Sequence, residues 1–115
     1  MQDYKTRVPF DQRQSEYKRI ISKYPDRVPI IVSKCKNCRL NDIDKEKYLV
    51  PIDMNLGQFI YVIRKRIQLE SSEALFIMVN NSLQPSNKLL QEIYENLKDD
   101  DGFLYIQYSS ENTFG

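Results

Sequence analysis

The sequence predicts an α+β fold in which two helices precede a four-stranded sheet and two further helices connect its strands. Three observations support this prediction. Apolar residues recur at helical spacing in three segments, four short runs are rich in β-branched or aromatic residues, and proline, asparagine or glycine punctuates the chain between them. A chain of 115 residues has the usual size of one domain with a single hydrophobic core.

The N-terminal region is predicted to be helical. Four residues follow the i, i+3, i+4, i+7 pattern of one helical face: Tyr17, Ile20, Ile21 and Tyr24. The helix is expected to begin near Asp11, whose charge suits a helix N-terminus, and to end by Tyr24, because Pro25 disfavours helical geometry in the preceding residue. We expect a short helical turn at residues 3–7 before it.

Two strands are predicted after the helices. Residues 28–33 are apolar and β-branched, and Pro29 is expected at the start of the strand or on an unpaired side because it has no N–H to donate. The polar segment 34–47 is predicted to be a loop. Residues 48–51 are predicted to be a second short strand that ends at a proline.

A longer helix and a third strand follow. Asn55 and Gln58 have the spacing of a capping box, with Asn55 as the N-cap. The apolar residues of this helix recur at helical spacing: Leu56, Phe59, Ile60, Ile63 and Ile67. Residues 74–79 are the most apolar stretch, and we expect a central strand there, followed by a turn at Asn80-Asn81.

The last segment is predicted to contain a short helix and a closing strand. The helix is defined by Leu90, Ile93, Tyr94 and Leu97. A turn at 99–102 leads into a strand at 103–108. The predicted order of elements is therefore two helices followed by ββαβαβ. This is the order of a ubiquitin-like β-grasp with two extra N-terminal helices. We therefore predict one domain, with a helical extension (1–27), a β-grasp core (28–108) and a flexible tail (109–115).

The composition argues against most enzyme classes. The chain contains no histidine, which excludes Ser-His and Cys-His triads, proton transfer by imidazole and most catalytic zinc sites. We expect no catalytic residues, no metal and no cofactor. The longest apolar run is far shorter than the roughly 20 residues that span a bilayer, and the N-terminus has no signal-peptide core. Cytoplasmic localisation is the expectation.

Charge is distributed unevenly along the chain. Residues 1–39 hold ten Lys or Arg against four Asp or Glu, whereas the net charge of the whole chain is only +1. Such a bias is typical of surfaces that meet acidic partners or of solvated helix and strand faces. No basic run is interleaved with aromatic residues, so we expect no nucleic-acid binding.

Cys35 and Cys38 form a Cys-Lys-Asn-Cys sequence. This spacing occurs in redox pairs and in half of a zinc site, but the chain offers neither a second cysteine pair nor a histidine. A pair of free thiols in a basic loop is the favoured interpretation. The neighbouring cations Lys34, Lys36 and Arg39 are of the kind that lowers a thiol pKa, so sensitivity to oxidation stays open.

Several blocks of sequence, in order from about Phe10 to Gly115, resemble one family. The blocks are Tyr24-Pro25-Asp26-Arg27-Val28-Pro29, Lys45-Glu46-Lys47-Tyr48-Leu49-Val50-Pro51, Gly57-Gln58-Phe59, Ile63-Arg64-Lys65-Arg66-Ile67, Ala74-Leu75-Phe76, Val79-Asn80-Asn81, Asp101-Gly102-Phe103-Leu104-Tyr105 and Thr113-Phe114-Gly115. Together they are similar to the GABA-receptor-associated-protein and microtubule-associated-protein light-chain family of autophagy ubiquitin-like modifiers. The departures lie in the first nine residues and in the loop 33–41.

The resemblance implies a non-enzymatic modifier that is conjugated through Gly115 to phosphatidylethanolamine and acts in autophagosome formation. Its expected partners are autophagy receptors and adaptors with aromatic-x-x-aliphatic motifs, the activating, conjugating and processing enzymes of the pathway, and the membrane reached through the lipid. It is then expected in the cytoplasm, and on the autophagosome membrane when lipidated.

The resemblance also implies two pockets beside the strand 48–51. The first pocket, for the aromatic residue of the motif, comprises Glu16, Ile20, Pro29, Ile31, Lys47, Leu49 and Phe103. The second pocket, for the aliphatic residue, comprises Arg27, Tyr48, Val50, Pro51, Met54, Phe59 and Val62. Arg27 and Lys47 are expected to meet acidic residues of the motif. The sequence pattern alone favours core positions for Ile20, Phe59 and Phe103, and the resemblance favours the pockets instead.

Two other functions fit parts of the sequence. An unconjugated ubiquitin-like scaffold uses only the peptide groove and does not need Gly115. A thiol switch uses Cys35 and Cys38 and needs neither the groove nor the C-terminus.

Overall fold

The computed structural model of the protein describes residues 3–36 and 38–110. Within them the chain forms four helices and five strands: α1 (Tyr4–Arg7), α2 (Phe10–Lys23), β1 (Arg27–Lys34), β2 (Lys47–Pro51), α3 (Leu56–Arg66), β3 (Phe76–Val79), β4 (Ser82–Leu83), α4 (Leu90–Leu97) and β5 (Leu104–Ser109). The predicted α+β fold is confirmed, and each predicted helix is present.

The helix boundaries follow from local chemistry. In α1 the side chain of Asp3 accepts a hydrogen bond from the backbone N–H of Thr6 at 2.9 Å. The helix α2 ends just before Pro25, as that residue dictates. In α3 the Asn55 side chain accepts from the N–H of Gln58 and the Gln58 side chain accepts from the N–H of Asn55, so the capping box is complete.

The sheet has the strand order β2-β1-β5-β3-β4. The strands β1 and β5 pair in parallel, and the other neighbours are antiparallel. One detail of the prediction was wrong: the described sheet has five strands rather than four. The strand β3 lies inside the sheet, between β5 and β4, and β5 takes the middle position. The position of β3 is fixed by its pairing with β5, which lies far away in sequence.

The extra strand β4 is made by a tight hairpin. Asn80 and Asn81 have φ values of 53° and 61°. This is the left-handed conformation that a two-residue hairpin turn of type I′ requires at both positions. The turn was predicted, but β4 has only two residues, both exposed, and pairs with β3 through Met78 and Val79. A strand this short has no periodicity that a sequence could show.

Helices pack on both faces of the sheet. The main core lies on the face covered by α3 and α4, where Phe59, Ile63 and Ile93 are fully buried. A smaller cluster lies on the opposite face, where Tyr4, Ile31 and Phe103 are buried against α1 and α2. The strand β1 contributes to both faces, which explains its continuous apolar sequence.

The turn before β5 holds α2 against the sheet. The buried carboxylate of Asp101 accepts a hydrogen bond from Arg13 Nε at 2.7 Å. Gly102 has a φ of 101°, and a Cβ atom there would lie 2.3 Å from Cγ of Tyr17. Only glycine permits this close approach of the turn to the aromatic ring on α2.

Candidate functional site

The strand β2 lies at one end of the sheet and pairs with β1 on its inner side. Its side chains alternate as predicted: Tyr48 and Val50 are buried, whereas Lys47 and Leu49 are half-buried on the other face. Such an end strand presents backbone N–H and C=O groups to which an extended peptide can add. The two predicted pockets flank this strand on opposite faces of the sheet.

The structure brings the seven residues of the first predicted pocket together. Register places Pro29 opposite Leu49 and Ile31 opposite Lys47. Ile20 packs against the cluster of Ile31 and Phe103. Glu16 of α2 accepts a hydrogen bond from Lys47 Nζ at 2.7 Å, which joins the helix to the edge strand across 31 residues of sequence.

Tyr4 of α1 also belongs to this group, and the sequence analysis did not select it. Its ring is almost fully buried and meets the edge of Phe103 with 5.8 Å between centroids. Its hydroxyl donates to Glu16 Oε2 at 2.8 Å, and Lys47 Nζ lies 4.9 Å from the centre of its ring. The only sequence signal was an aromatic residue on the face of a short predicted helix.

The electrostatics of this group centre on Glu16. Burial works to raise the pKa of its carboxyl, but the hydrogen bonds from Lys47 and Tyr4 outweigh burial, and the pKa is lowered. Burial, reinforced by the neighbouring Glu16, raises the pKa of the Tyr4 hydroxyl. At neutral pH the Glu16 carboxylate and the neutral phenol of Tyr4 are therefore held in contact beside Lys47.

The residues of the second predicted pocket are split between core and surface. Tyr48, Val50 and Phe59 are buried in the main core, and the rings of Tyr48 and Phe59 meet edge to face at 5.4 Å. Arg27 and Pro51 are exposed and directly opposite each other in register, and Met54 and Val62 are partly buried against the core. Truncating Tyr48 to alanine is therefore expected to disturb the core as well as the pocket.

The Tyr48 hydroxyl is the buried polar side-chain atom without a hydrogen-bond partner among the described residues. Burial raises the pKa of this hydroxyl to about 12. We expect Tyr48→Phe to leave the free energy of unfolding unchanged or to raise it by up to about 1 kcal/mol, because an unpaired buried hydroxyl costs free energy. Urea unfolding at neutral pH measures this directly.

Tyr108→Phe is the matched control, because the Tyr108 hydroxyl donates to the carbonyl oxygen of Asn41 at 2.6 Å. Its loss is expected to lower the free energy of unfolding by about 1 kcal/mol. A loss of the same size in Tyr48→Phe would show that the Tyr48 hydroxyl is paired in the folded protein and would contradict this account.

Comparison with known proteins places the whole chain in one family. A family described as "Autophagy protein Atg8 ubiquitin like" matches residues 12–115. Autophagy-related protein 8 of Lodderomyces elongisporus is 55% identical over 112 residues, which are 97% of this chain and 77% of the relative. Autophagy-related protein 8e of Arabidopsis thaliana is 56% identical over 106 residues, or 92% and 87% of the two chains. The chain belongs to the Atg8 family of ubiquitin-like autophagy proteins.

Solved Atg8 structures confirm the ubiquitin-like fold. The crystal structure of Trypanosoma brucei ATG8 superposes with a TM-score of 0.91 at 44% identity and covers 100% of this chain and 99% of that one. Plasmodium falciparum Atg8, solved in complex with a Plasmodium falciparum Atg3 peptide, also gives a TM-score of 0.91, at 34% identity, covering 99% of this chain and 100% of that one.

Other features of this Atg8 chain bear on its chemistry. Gly115, the predicted conjugation residue, lies outside the described residues. Among residues 3–36 and 38–110 no cluster of three or more histidine, cysteine, aspartate or glutamate side chains is placed to hold a metal ion. In the same part of the chain no helix combines the length and apolar character needed to cross a membrane.

The structure contains two clefts that the sequence did not indicate: the larger lies away from the predicted pockets, whereas the smaller shares Ile31 with the first one. The larger has a volume of about 710 Å³ and is lined mainly by the end of β1 and the loop after it, including Cys35 and Cys38. The smaller has a volume of about 260 Å³ and lies beside α1, between Tyr4 and Tyr105. Residues far apart in sequence line both clefts, which is why local patterns did not indicate them.

Proposed function

We propose that the protein is a ubiquitin-like modifier that is conjugated through Gly115 to phosphatidylethanolamine, and that it acts in autophagosome formation as an adaptor for receptors with aromatic-x-x-aliphatic motifs. The observation that carries the binding part is the open edge of β2, where Lys47 and Glu16 stand beside the apolar cluster of Ile31 and Phe103. In this role the chain is recognised and attached by other proteins and supplies no catalytic group itself.

The geometry of β2 suits an extended peptide. A peptide that pairs with this edge directs alternate side chains to opposite faces, so an aromatic residue and the aliphatic residue three positions later face different parts of the surface. The aromatic residue meets the cluster beside Ile20 and Ile31, and the aliphatic residue meets Met54 and Val62 at the rim of the main core. Each anchor contributes roughly 1.5–3 kcal/mol when buried.

Charge supports a preference for acidic peptides. Arg27 is exposed at one end of the edge, and Lys47 is partly exposed at the other end, where its ammonium already contacts Glu16. A carboxylate on the peptide competes with Glu16 for this ammonium at little desolvation cost, because the Lys47 side chain is 40% exposed. Micromolar affinity, about −8 kcal/mol, is the expected range once the ordering of the peptide is subtracted.

Tyr4 adds a contribution from α1 to the first pocket. Its buried ring packs on Phe103, and its hydroxyl holds Glu16 beside Lys47. An aromatic residue of a peptide must therefore pack alongside Tyr4 or shift it. Because α1 lies within the first nine residues, where the sequence departs from the family pattern, this contact is a place where selectivity among peptides can arise.

The proposed conjugation rests on family membership and on Gly115, the last residue of the block Thr113-Phe114-Gly115 that resembles the family. Its carboxylate is activated as an acyl-adenylate, passes to a cysteine thioester and ends as an amide on the amine of phosphatidylethanolamine. Two acyl chains, at about 0.8 kcal/mol per buried methylene, then hold the protein on a membrane. By analogy with Plasmodium falciparum Atg8, which was solved with an Atg3 peptide, we propose that pathway proteins also dock on this chain through short peptides.

Lys47→Glu is expected to weaken binding of an acidic aromatic-x-x-aliphatic peptide by about tenfold, or about 1.4 kcal/mol, because it replaces the cation beside the first pocket with an anion that repels both the peptide and Glu16. Isothermal titration calorimetry with a synthetic peptide measures the change. The fold should be retained, since the residue is partly exposed at the sheet edge.

Lys65→Glu is the matched control, because it makes the same charge change on the exposed surface of α3, where Lys65 Nζ lies 4.7 Å from the ring centre of Tyr61. It is expected to change the affinity by less than about twofold. Equal weakening by both variants would indicate a general charge effect, and no weakening by Lys47→Glu would contradict the assignment of the first pocket.

A further inference from the structure

Cys35 and Cys38 are joined by a turn at the end of β1. The backbone N–H of Cys38 donates to the carbonyl oxygen of Cys35 at 3.4 Å. A hydrogen bond between residues three apart is typical of a turn whose outer Cα atoms lie within about 7 Å of each other. Disulfide-bonded cysteines have Cα separations of about 4.4–6.8 Å, a range that such a turn can reach.

Both thiols are reduced and both line the 710 Å³ cleft. The cleft also carries Lys34, the exposed Lys36 and three carboxylates. The carboxylates have partners of their own: Asp42 pairs with Lys34 at 3.0 Å, Glu46 pairs with Arg7, and Asp3 caps α1. Because these carboxylates already have partners, they repel an incoming anion less. The exposed Lys36 side chain can therefore attract a small anionic molecule into the cleft.

The two sulfur atoms contact different side chains of the C-terminal segment. Cys35 Sγ lies 3.9 Å from Gln107 Oε1 on β5, and Cys38 Sγ lies 3.7 Å from Ser110 Oγ just after that strand. The Cys35 thiol donates to the amide oxygen of Gln107, whereas the Ser110 hydroxyl can donate to the Cys38 sulfur once that thiol is ionised. Cys35 is buried, whereas Cys38 is half-buried.

The environments make the thiols chemically unequal. Burial, with a smaller contribution from Cys38, raises the pKa of Cys35. Burial also acts on Cys38, but the backbone N–H of Leu40, the contacts of Ser110 and the charge of Lys34 outweigh it, and the pKa is lowered. A thiol that is both more acidic and more exposed is the better nucleophile of a pair.

We propose that Cys35 and Cys38 form a reversible dithiol–disulfide site that reacts with small anionic disulfides of the glutathione class, with Cys38 as the attacking thiol and Cys35 as the resolving thiol. The proposal is independent of the peptide edge and of conjugation at Gly115. Cysteine pairs of this kind in reducing compartments are usually transient and regulatory rather than structural.

The reaction balances in two exchanges. The Cys38 thiolate attacks one sulfur of the small disulfide and forms a mixed disulfide, and the displaced thiolate takes up a proton. The Cys35 thiol then loses its proton and attacks Cys38 Sγ, which breaks the mixed disulfide and releases the second small thiol. Two protein thiols are oxidised to one disulfide, and one small disulfide is reduced to two thiols.

Closing the disulfide removes the S–H donor of Cys35 and the ionised sulfur of Cys38. Gln107 and Ser110 then lose their contacts with the loop after β1. Oxidation therefore breaks two side-chain contacts between the loop after β1 and residues 107–110. Faster backbone amide exchange at Ser110 in the oxidised protein is the expected signature, whereas Gln107 stays paired with both neighbouring strands.

The test treats the full reduced chain with oxidised glutathione, quenches it with acid and an alkylating reagent, and reads the intact mass. Wild type should lose two hydrogens and retain no glutathione. Cys35→Ser should accumulate one glutathionyl group on Cys38, whereas Cys38→Ser should react several-fold more slowly. Circular dichroism establishes that both variants are folded.

Two conservative variants probe the environment of the attacking thiol. Ser110→Ala removes a group that lowers the pKa of Cys38, so the first exchange should slow several-fold at neutral pH. Gln107→Ala is the matched control, since Gln107 contacts Cys35 rather than Cys38, and it should leave that rate unchanged. Stable glutathionylation of the wild type, or equal reaction rates of the two single-cysteine variants, would overturn the proposal.

Discussion

Asp101→Ala is expected to lower the free energy of unfolding by about 3–5 kcal/mol, the range for breaking a buried ion pair by removing one partner. Asp101 is fully buried and Arg13 is nearly so. The carboxylate accepts hydrogen bonds from Arg13 Nε, from the backbone N–H of Phe103 and from the Tyr105 hydroxyl. Alanine would leave all three donors without this acceptor, and urea unfolding followed by far-UV circular dichroism measures the loss.

Asp100→Ala is the matched control, because Asp100 is the preceding residue of the same turn and is exposed. It is expected to change the free energy of unfolding by less than about 0.5 kcal/mol. A loss below about 1 kcal/mol in Asp101→Ala would contradict the view that this ion pair holds α2 on the sheet.

The same ion pair affects the candidate peptide-binding edge. Asp101 fixes the backbone of Phe103, and Arg13 lies on the helix that carries Glu16 and Ile20. The first pocket is therefore assembled from two elements that this contact keeps in register. Weaker peptide binding by partly unfolded Asp101→Ala would follow from the loss of that assembly.

The sequence was sufficient for most of the local structure. Pro25 fixes the end of α2, and the Asn55 and Gln58 capping box fixes the start of α3, because both act through neighbouring backbone atoms. The turn at Asn80-Asn81 was predictable for the same reason. Burial alternation along β2 followed directly from the two-residue period of a strand.

Local sequence patterns could not predict the order of the strands or the presence of the fifth strand. The apolar run that contains β3 indicated a strand inside the sheet, but apolar character does not show which strand takes the middle position. The centre is taken by β5, which pairs in parallel with β1 and antiparallel with β3. The strand β4 exists because the Asn80-Asn81 turn returns the chain alongside β3, and its two residues carry no signal of their own.

The candidate site was likewise predictable from the sequence only in part. Resemblance to a family selected residues such as Glu16, Lys47 and Phe103, and the structure brings them into one group. The contact of Tyr4 with that group depends on how α1 folds back over the sheet, which no periodicity describes. Equally, spacing could suggest that Phe59 is buried, but not that Tyr48 lies against it.

Gly115→Ala is expected to abolish lipid conjugation if the protein is the modifier we propose. The C-terminal carboxylate is the group that is activated and transferred, and glycine offers no Cβ to obstruct a narrow enzyme site. The substitution adds a single methyl group, and the contacts that form the core and the β2 edge are made by other residues. It should therefore leave the free energy of unfolding and the peptide affinity of the β2 edge unchanged.

The most direct measurement expresses the wild type and Gly115→Ala in the protein's own cells during starvation and follows gel mobility and membrane pelleting, with Lys65→Glu as a surface-variant control. The account predicts that wild type and Lys65→Glu shift in mobility and pellet with membranes, while Gly115→Ala does neither. Identical behaviour of wild type and Gly115→Ala would contradict conjugation and leave a peptide-binding scaffold as the function.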